Sequence, residues 1–206
     1  INLPDTGMTV YCLGTDQNNR LFVGSDDNVY YTDDMGENWS SGSNWPGSPV
    51  KCLAVNSQDM VFAGSFFEGL YRSTDGGDTY SICNNGLTTN FIECILVEED
   101  DYIVLGTSSG VFKSTDNGDN WVHLGDFTED VKGIAEDDAG ILYAGTYNSG
   151  VFKSEDNGDT WIAINNGIPD TSQVTAISVD PDGGILTGFY PEGVYRTTDQ
   201  GATWEE

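Results

Sequence analysis

Residues 114–121 read Ser-Thr-Asp-Asn-Gly-Asp-Asn-Trp, and this stretch decides the fold because the chain repeats its pattern five times. The pattern is Ser or Thr, any residue, Asp, any residue, Gly, any two residues and then an aromatic residue. The other copies occupy residues 32–39, 73–80, 154–161 and 197–204. Successive aspartates of the pattern are separated by 41, 41, 40 and 43 residues. A spacing this regular indicates five equivalent units of about 40 residues.

Each unit has the apolar pattern of short strands. A first strand begins at an aliphatic residue, and a second strand is predicted to end at a glycine in every unit: Gly24, Gly64, Gly106, Gly145 and Gly188. A third strand runs into the Asp pattern, and a fourth begins at its aromatic residue. Four antiparallel strands at this period predict one propeller blade per unit. We expect a single domain with blades at 8–47, 48–89, 90–129, 130–172 and 173–206, the last completed by residues 1–7.

The repeated pattern resembles the Asp-box, or BNR repeat, of sialidases, sortilin-type receptors, xyloglucan-cleaving glycosidases and photosystem assembly propellers. The resemblance covers all five units and implies an all-β fold, a single five-bladed β-propeller with Asp-box hairpins between third and fourth strands. It does not fix the function, since these families share a scaffold and differ in chemistry.

In each hairpin we expect Asp to accept buried backbone amides, Gly to supply a positive φ and the aromatic residue to pack between blades. The residues in these three roles are Asp34, Gly36 and Trp39; Asp75, Gly77 and Tyr80; Asp116, Gly118 and Trp121; Asp156, Gly158 and Trp161; and Asp199, Gly201 and Trp204.

The charge of the chain limits its partners. It has 206 residues, with 34 acidic and 7 basic side chains and a net charge of -27. Nucleic-acid binding requires clustered Lys and Arg, so this class is excluded. No apolar run is long enough to span a bilayer and no terminal segment resembles a signal peptide, so we expect a soluble chain without a transmembrane segment. A start at Ile1 fits a processed mature chain or an excised domain, and we expect an extracellular or cell-surface location.

Catalysis is not the favoured interpretation. A sialidase needs three arginines around the substrate carboxylate, and the chain has only Arg20, Arg72 and Arg196. Arg72 and Arg196 share one repeat position with Lys113 and Lys153, so the repeat explains them. A glycosidase with paired carboxylates is the alternative, but in xyloglucan-cleaving relatives these lie between two propellers. We therefore predict no catalytic residues.

Acidic clusters at residues 26–27, 33–34, 98–101 and 136–138 offer the oxygen ligands that calcium prefers. None has the spacing of an EF-hand loop, so solvated turns are the favoured interpretation. We predict no metal or cofactor, with Ca²⁺ as the alternative.

Cysteine and histidine give no catalytic pattern. The four cysteines form no CxxC pair, which argues against a zinc or redox site. Cys12, Cys52 and Cys94 share one repeat position, and Cys83 lies apart. We expect buried free thiols, with a bridge between first strands as the alternative in a secreted chain. His123 follows a pattern aromatic and is expected to be exposed.

Aromatic residues collect in the turns that join second to third strands and one blade to the next. In a propeller these turns share one face, opposite the Asp patterns. The candidate binding face comprises Trp45, Phe66, Phe67, Phe127, Tyr147, Phe189 and Tyr190. These rings either form a surface for a glycan or protein ligand or fill the tops of the blades. The sequence favours a non-catalytic extracellular binding or assembly module, with a glycosidase-like propeller as the alternative.

The two ends of the chain fit one interrupted strand. If Glu206 were followed by Ile1, the spacing from Trp204 to Val10 would match the other blade junctions. We expect residues 1–3 to complete the strand that residues 204–206 begin. The completing segment comes from the same molecule or from another copy, and the second case gives a head-to-tail homo-oligomer.

Overall fold

The computed structural model of the chain describes residues 7–98, 102–169 and 173–206. Within these ranges the chain forms nineteen β-strands and no helix, so it contains no helix able to cross a membrane there. The strands form five sheets, in each of which they follow chain order. Neighbouring strands are antiparallel wherever their register is described.

Each sheet lies within one predicted repeat. The first contains β1 (Val10–Thr15), β2 (Leu21–Ser25), β3 (Val29–Thr32) and β4 (Ser40–Ser41). The second contains β5 (Val50–Val55), β6 (Val61–Ser65), β7 (Leu70–Ser73) and β8 (Ser81–Ile82). The third contains β9 (Ile92–Val97), β10 (Ile103–Thr107), β11 (Gly110–Ser114) and β12 (Val122–His123). The fourth contains β13 (Val131–Glu136), β14 (Leu142–Thr146), β15 (Val151–Ser154) and β16 (Ile162–Ala163). The fifth contains β17 (Gln173–Val179), β18 (Ile185–Tyr190) and β19 (Gly193–Thr197).

The strand ends differ slightly from the sequence prediction. The second strands run at least one residue past their glycine, and each described fourth strand begins one residue after its aromatic. In the fifth sheet the fourth strand is reduced to a bridge between Arg196 and Glu205, whose two N–H to O distances are 2.7 and 2.9 Å. The predicted closure by residues 1–7 falls largely on residues 1–6, which lie outside the described residues.

The chain divides into two compact units. The first comprises Ile1–Val104 and Lys113–Val122, and the second comprises Leu105–Phe112 and His123–Glu206. The core of the first unit contains Phe22, Val29, Val50, Val61, Ala63 and Tyr80. The core of the second contains Tyr143, Val151, Ile164, Ile168, Val174, Ile185, Phe189, Tyr195 and Trp204. In both units, residues from the second and third strands of one sheet pack on the first strand of the next.

The glycine near the end of each second strand permits this close approach. A Cβ on Gly24 would lie 2.7 Å from Val50 Cγ1 and would overlap Cys12 Sγ. A Cβ on Gly145 would overlap Val174 Cγ1. Since the next sheet occupies the space that a side chain would need, the repeated glycine is a packing requirement.

The Asp-box hairpin is closed by its first residue. In the third sheet, Ser114 Oγ donates to Asp116 Oδ1 at 2.8 Å and accepts the Gly118 N–H at 2.9 Å. Two consecutive residues, Asn117 and Gly118, have positive φ values of 57° and 83°. All five boxes make the same hydroxyl bonds and have the same pair of positive φ values.

The seventh box position, which the sequence pattern left open, also has a defined role. Asn120 donates its backbone N–H to Asp116 Oδ1 at 2.9 Å and its side-chain amide to Oδ2 at 2.8 Å. In the other boxes the equivalent residue makes both bonds, donating its backbone N–H to Oδ1 and its side-chain amide or hydroxyl to Oδ2. These residues are Asn38, Thr79, Thr160 and Thr203. Asn120 and Asp116 are exposed, so the prediction that Asp holds buried amides is wrong. The buried amide of the hairpin is that of Gly118, and Ser114 accepts it.

The first-position hydroxyl and the two donors of the seventh position together lower the pKa of every box aspartate. At Asp34 the backbone N–H of Asn38 is the largest cause of the shift, and the pKa falls to about 2. At Asp199 the Thr197 hydroxyl is the largest cause, and the pKa again falls to about 2. The pKa values of Asp75, Asp116 and Asp156 are lowered in the same direction.

We predict that Ser114→Ala lowers the free energy of unfolding by about 1–3 kcal/mol, because it leaves the buried Gly118 N–H without an acceptor. Urea denaturation measures this change. The neighbouring exposed Thr115→Ala serves as the control and is expected to change the free energy by less than about 0.5 kcal/mol. Equal losses in both variants would contradict the role assigned to the Ser114 hydroxyl.

We also predict that stability decreases as the pH falls from about 4 to about 2. The folded pKa of each box aspartate lies below its ordinary value of 3.8, so the stabilisation is complete above that value and is lost as the carboxylate gains a proton. Asp116→Asn removes one such group, so its stability deficit relative to wild type is expected at pH 6 and should shrink as the pH falls below 3.8 and the carboxylate gains a proton. Thermal melts across this range measure it, and a deficit independent of pH would contradict the assignment.

Candidate functional site

Two of the predicted surface aromatics are buried. Phe127 stacks on Trp161 with ring centroids 4.8 Å apart, and Phe189 meets Tyr195 edge to face at 5.4 Å. Their assignment to the binding face is therefore corrected, and the alternative that rings fill the blades holds for both. Phe189 stands where the other sheets have Ser or Thr at the end of the second strand.

Trp45 is half-buried and has a packing role. Its Nε1 donates to the Ser48 carbonyl at 2.7 Å. Its ring centroid lies 5.0 Å from that of Tyr71 and 5.8 Å from that of Tyr80, the aromatic residue of the second box. Trp45 thus covers a box aromatic and offers little of its own ring to a ligand.

Phe66, Phe67 and Phe91 form one contiguous group, here called the phenylalanine cluster. The ring centroids of Phe66 and Phe67 lie 5.0 Å apart, and those of Phe67 and Phe91 lie 5.8 Å apart. Phe67 is 54% exposed and Phe91 is 43% exposed. The sequence analysis missed Phe91, although it precedes β9 in a connection between repeats, where aromatic residues of this face were expected.

The turn between β6 and β7 fixes the position of the cluster. Ser65 Oγ accepts the backbone N–H groups of Phe67 at 3.1 Å and Glu68 at 2.9 Å. Lys51 Nζ lies 5.3 Å from the centroid of Phe66 and 3.7 Å from Glu93 Oε2. The cluster is therefore an apolar surface on an ordered turn, with one cation and two carboxylates near it.

Tyr147 and Tyr190 are exposed in the second unit. Lys132 Nζ lies 5.1 Å from the centroid of the Tyr147 ring and 3.0 Å from Asp130 Oδ1. Asn148, which follows Tyr147, is exposed. Each tyrosine offers a single ring, in contrast to the three-ring phenylalanine cluster.

An open cavity of about 340 Å³ in the first unit is lined by residues 15–17, 55–57, Val97 and Glu98. Two carboxylates, Asp16 and Glu98, line it. Asp16 has a structural role, because Oδ1 accepts the N–H groups of Asn18 and Arg20, each at 2.8 Å. The equivalent Asn56 holds the turn between β5 and β6 in the same way.

The three arginines are held by structural contacts. Arg20 binds Asp33 at 2.7 Å and donates to the Gly76 carbonyl at 2.6 Å. Arg72 pairs with Asp119 at 2.8 Å, and Arg196 pairs with Asp180 at 2.7 Å. Each of the three arginines is therefore paired with a carboxylate.

Within the described ranges, no three His, Cys, Asp or Glu side chains gather into a group that could hold a metal ion. Asp137 of the 136–138 cluster accepts turn amides through Oδ1 and the Tyr143 hydroxyl through Oδ2. Residues 99–101 of the 98–101 cluster lie outside the described residues. The calcium alternative stays a prediction.

The cysteines are free thiols. Cys52 and Cys83 are buried, whereas Cys12 and Cys94 are half-buried, which corrects the expectation of uniformly buried thiols. Burial raises the pKa of Cys12 and Cys83 to about 12 and that of Cys52 well above its ordinary value. These three side chains are protonated near neutral pH and are therefore poor nucleophiles.

His123 is half-buried, so the prediction that it is exposed is wrong. Its Nδ1 lies 2.8 Å from the Gly125 carbonyl oxygen, and its Nε2 lies 3.0 Å from that of Ser109. Its ring meets Phe112 edge to face at 4.7 Å. Both nitrogens are directed at backbone oxygens, which gives the ring a structural position.

Comparison with known proteins supports a β-propeller. The family profile described as BNR/Asp-box repeat matches residues 30–41. No curated protein sequence matches the chain. The GH74 xyloglucanase of Xanthomonas campestris superposes with a TM-score of 0.79 at 17% identity, over 95% of this chain and 38% of that chain. At these identities the comparisons show the fold alone.

Two further similar structures are a complex with a peptide and an extracellular domain. YCF48 bound to a D1 peptide gives a TM-score of 0.78 at 16% identity, over 100% of this chain and 68% of that chain. The extracellular domain of a hybrid two-component system from B. thetaiotaomicron gives 0.67 at 17% identity, over 100% of this chain and 34% of that chain.

Proposed function

We propose that this chain, an Asp-box β-propeller whose five sheets are five blades, is a non-catalytic module that binds a protein partner through the phenylalanine cluster. The observation that carries the proposal is the contact of three phenylalanine rings on one surface, with Phe67 and Phe91 largely exposed. Exposed apolar groups of this kind mark interaction sites on folded proteins.

The ring geometry favours a protruding apolar side chain over a sugar. The planes of Phe66 and Phe67 meet at 58°, and those of Phe67 and Phe91 meet at 79°. Such rings form an uneven surface, whereas a sugar stacks on a flat face. An apolar side chain from a peptide can contact several of these rings at once.

The negative charge of the chain indicates which residues flank that apolar side chain in the partner. Glu68 is exposed beside Phe67, Glu93 is paired with Lys51, and the whole chain carries a charge of -27. A complementary partner therefore has an apolar residue flanked by Lys or Arg, which also accelerates encounter at low salt. The YCF48 structure that resembles this chain holds a peptide, which supports a peptide ligand here.

A glycan is the second candidate ligand. Its support is the exposed Tyr147 ring beside the exposed Asn148, a combination that suits stacking on one sugar with a hydrogen bond to its hydroxyls. The non-catalytic assignment is supported by one of the two carboxylates of the 340 Å³ cavity, Asp16, because Oδ1 is already used by its own turn. We propose an extracellular location, supported by the extracellular domain among the similar structures.

We predict that peptides selected from a random peptide library on the purified protein contain an apolar residue flanked by basic residues. Phe67→Ser and Phe91→Ser should each weaken the binding of a selected peptide by about 10- to 100-fold, the equivalent of losing the burial of one phenylalanine. Isothermal titration calorimetry measures the affinities.

Ile162→Ser is the matched control, because Ile162 is a similarly exposed apolar residue on β16, far from this turn in sequence. It should retain wild-type affinity. A glycan array probes the second candidate, with Tyr147→Ser as its variant. Binding to sugars that Tyr147→Ser abolishes, together with no peptide binding, would replace the protein partner with a glycan.

A further inference from the structure

The carbonyl oxygen at the sixth box position is a repeated acceptor. In the second, third and fifth sheets it accepts a hydrogen bond from the segment that precedes the sheet. The donor and acceptor residues are Ser43 and Asp78 at 2.9 Å, Asn85 and Asp119 at 3.4 Å, and Asn166 and Ala202 at 2.9 Å. In the fourth sheet this position is Asp159, and its carbonyl accepts no hydrogen bond from the residues that the structure describes.

The connection before the fourth sheet lacks the side-chain donor. The connections before the third and fifth sheets contain Asn-Asn-Gly at residues 84–86 and 165–167. At the same place before the fourth sheet, the chain reads Gly125-Asp126-Phe127. No side-chain amide stands there, and Phe127 instead packs its ring on Trp161, the box aromatic, with the ring centroids 4.8 Å apart. This connection therefore departs from the repeat.

Trp161 departs from the repeat as well. Trp121 and Trp204 are buried, and their Nε1 atoms donate at 2.8 and 2.6 Å to carbonyls that lie just after the fourth strand of the preceding sheet. Trp161 is half-buried, and its Nε1 donates at 3.1 Å to the Gly158 carbonyl of its own box. Its ring is therefore less enclosed than the rings of the other two tryptophans.

An open groove of about 280 Å³ lies beside this ring, within the second unit. The residues that line it are Asp126, Phe127, Asp159, Thr160 and Trp161. Asp126 and Asp159 are exposed, and neither carboxylate has a hydrogen bond or ion pair within residues 7–98, 102–169 and 173–206. The Thr160 hydroxyl and Trp161 Nε1 both donate within the box. The groove thus offers acceptors and an aromatic ring, while its side-chain donors are already used.

This combination favours a cation that carries several N–H donors. We propose that the groove binds the arginine side chain of a peptide. A guanidinium group is planar and has five N–H donors, so it can stack on Trp161 while donating to the Asp159 carbonyl and to the two carboxylates. A lysine ammonium group has no flat face to stack on the ring. The inference does not depend on the phenylalanine cluster, whose residues belong to the first unit.

The groove alone binds weakly, because its carboxylates are exposed and water competes for them. We expect a dissociation constant of about 1 mM for a single arginine side chain at low ionic strength. Added salt should weaken this binding, since it screens the attraction between the guanidinium group and the carboxylates.

NMR titration of the purified chain tests the proposal. The probe is a blocked pentapeptide with arginine between pairs of glycines, and the reporter is the indole N–H signal of Trp161, identified by its loss in Trp161→Phe. This signal should shift and saturate. The same peptide with citrulline, which has a similar shape and no charge, should bind at least about 10-fold more weakly. The lysine peptide should bind at least about 3-fold more weakly.

The two carboxylates give a second test. Asp126→Asn and Asp159→Asn should each weaken binding of the arginine peptide by about 3-fold, because each removes one exposed charge partner. Asp138→Asn is the matched control, since Asp138 is an exposed carboxylate in the turn between β13 and β14 and does not line the groove. It should bind the arginine peptide like wild type. Thermal melts confirm that each variant folds.

Three results would overturn the proposal. A Trp161 indole signal that does not shift with the arginine peptide would show that the groove is not the site. Equal binding of the citrulline or lysine peptide would show that the groove does not recognise a guanidinium group. Equal losses in Asp126→Asn, Asp159→Asn and Asp138→Asn would show that the peptide follows net charge alone.

Discussion

The buried hydroxyl at the first position of each Asp-box is the interaction on which the rest of the structure depends. In the third sheet, Ser114 accepts the Gly118 N–H and donates to Asp116, so one group satisfies a buried amide and orients the carboxylate. That carboxylate then holds the next turn residue through two donors. The hairpin so formed places Trp121 where its Nε1 reaches the Cys83 carbonyl of the preceding sheet. A local bond in the hairpin thereby sets a contact between sheets.

The sequence predicted the fold well because the determinants of the hairpin are local. Ser or Thr, Asp, Gly and the aromatic residue lie within eight positions, so their spacing is visible without a structure. The seventh position is also restricted in the sequence, since it is Asn or Thr in every copy, but the predicted pattern allowed any residue there. The binding face was predicted less well, because exposure depends on packing between elements distant in sequence. Phe127 lies in a connection and Phe189 lies on β18, and both rings enter the core, whereas Phe91 contributes an exposed ring.

One packing rule explains the interior of each unit. A small residue on one sheet receives an aliphatic residue from the next, as Gly24 receives Val50. With this partner in place, Val29 on the adjacent strand is fully buried. The phenylalanine cluster lies outside this rule, since its rings sit on turns that the repeat does not require. Because the repeat does not use these rings in its packing, they suit a different partner.

Amide hydrogen exchange followed by NMR tests the central claim most directly. The account predicts that the backbone amides of the five box glycines exchange at least about 100-fold more slowly than an open amide, because each donates to a buried hydroxyl. These glycines are Gly36, Gly77, Gly118, Gly158 and Gly201. Gly47 is the reference, because it also has a positive φ but lies on an exposed turn. Box glycines that exchange as fast as Gly47 would contradict the account.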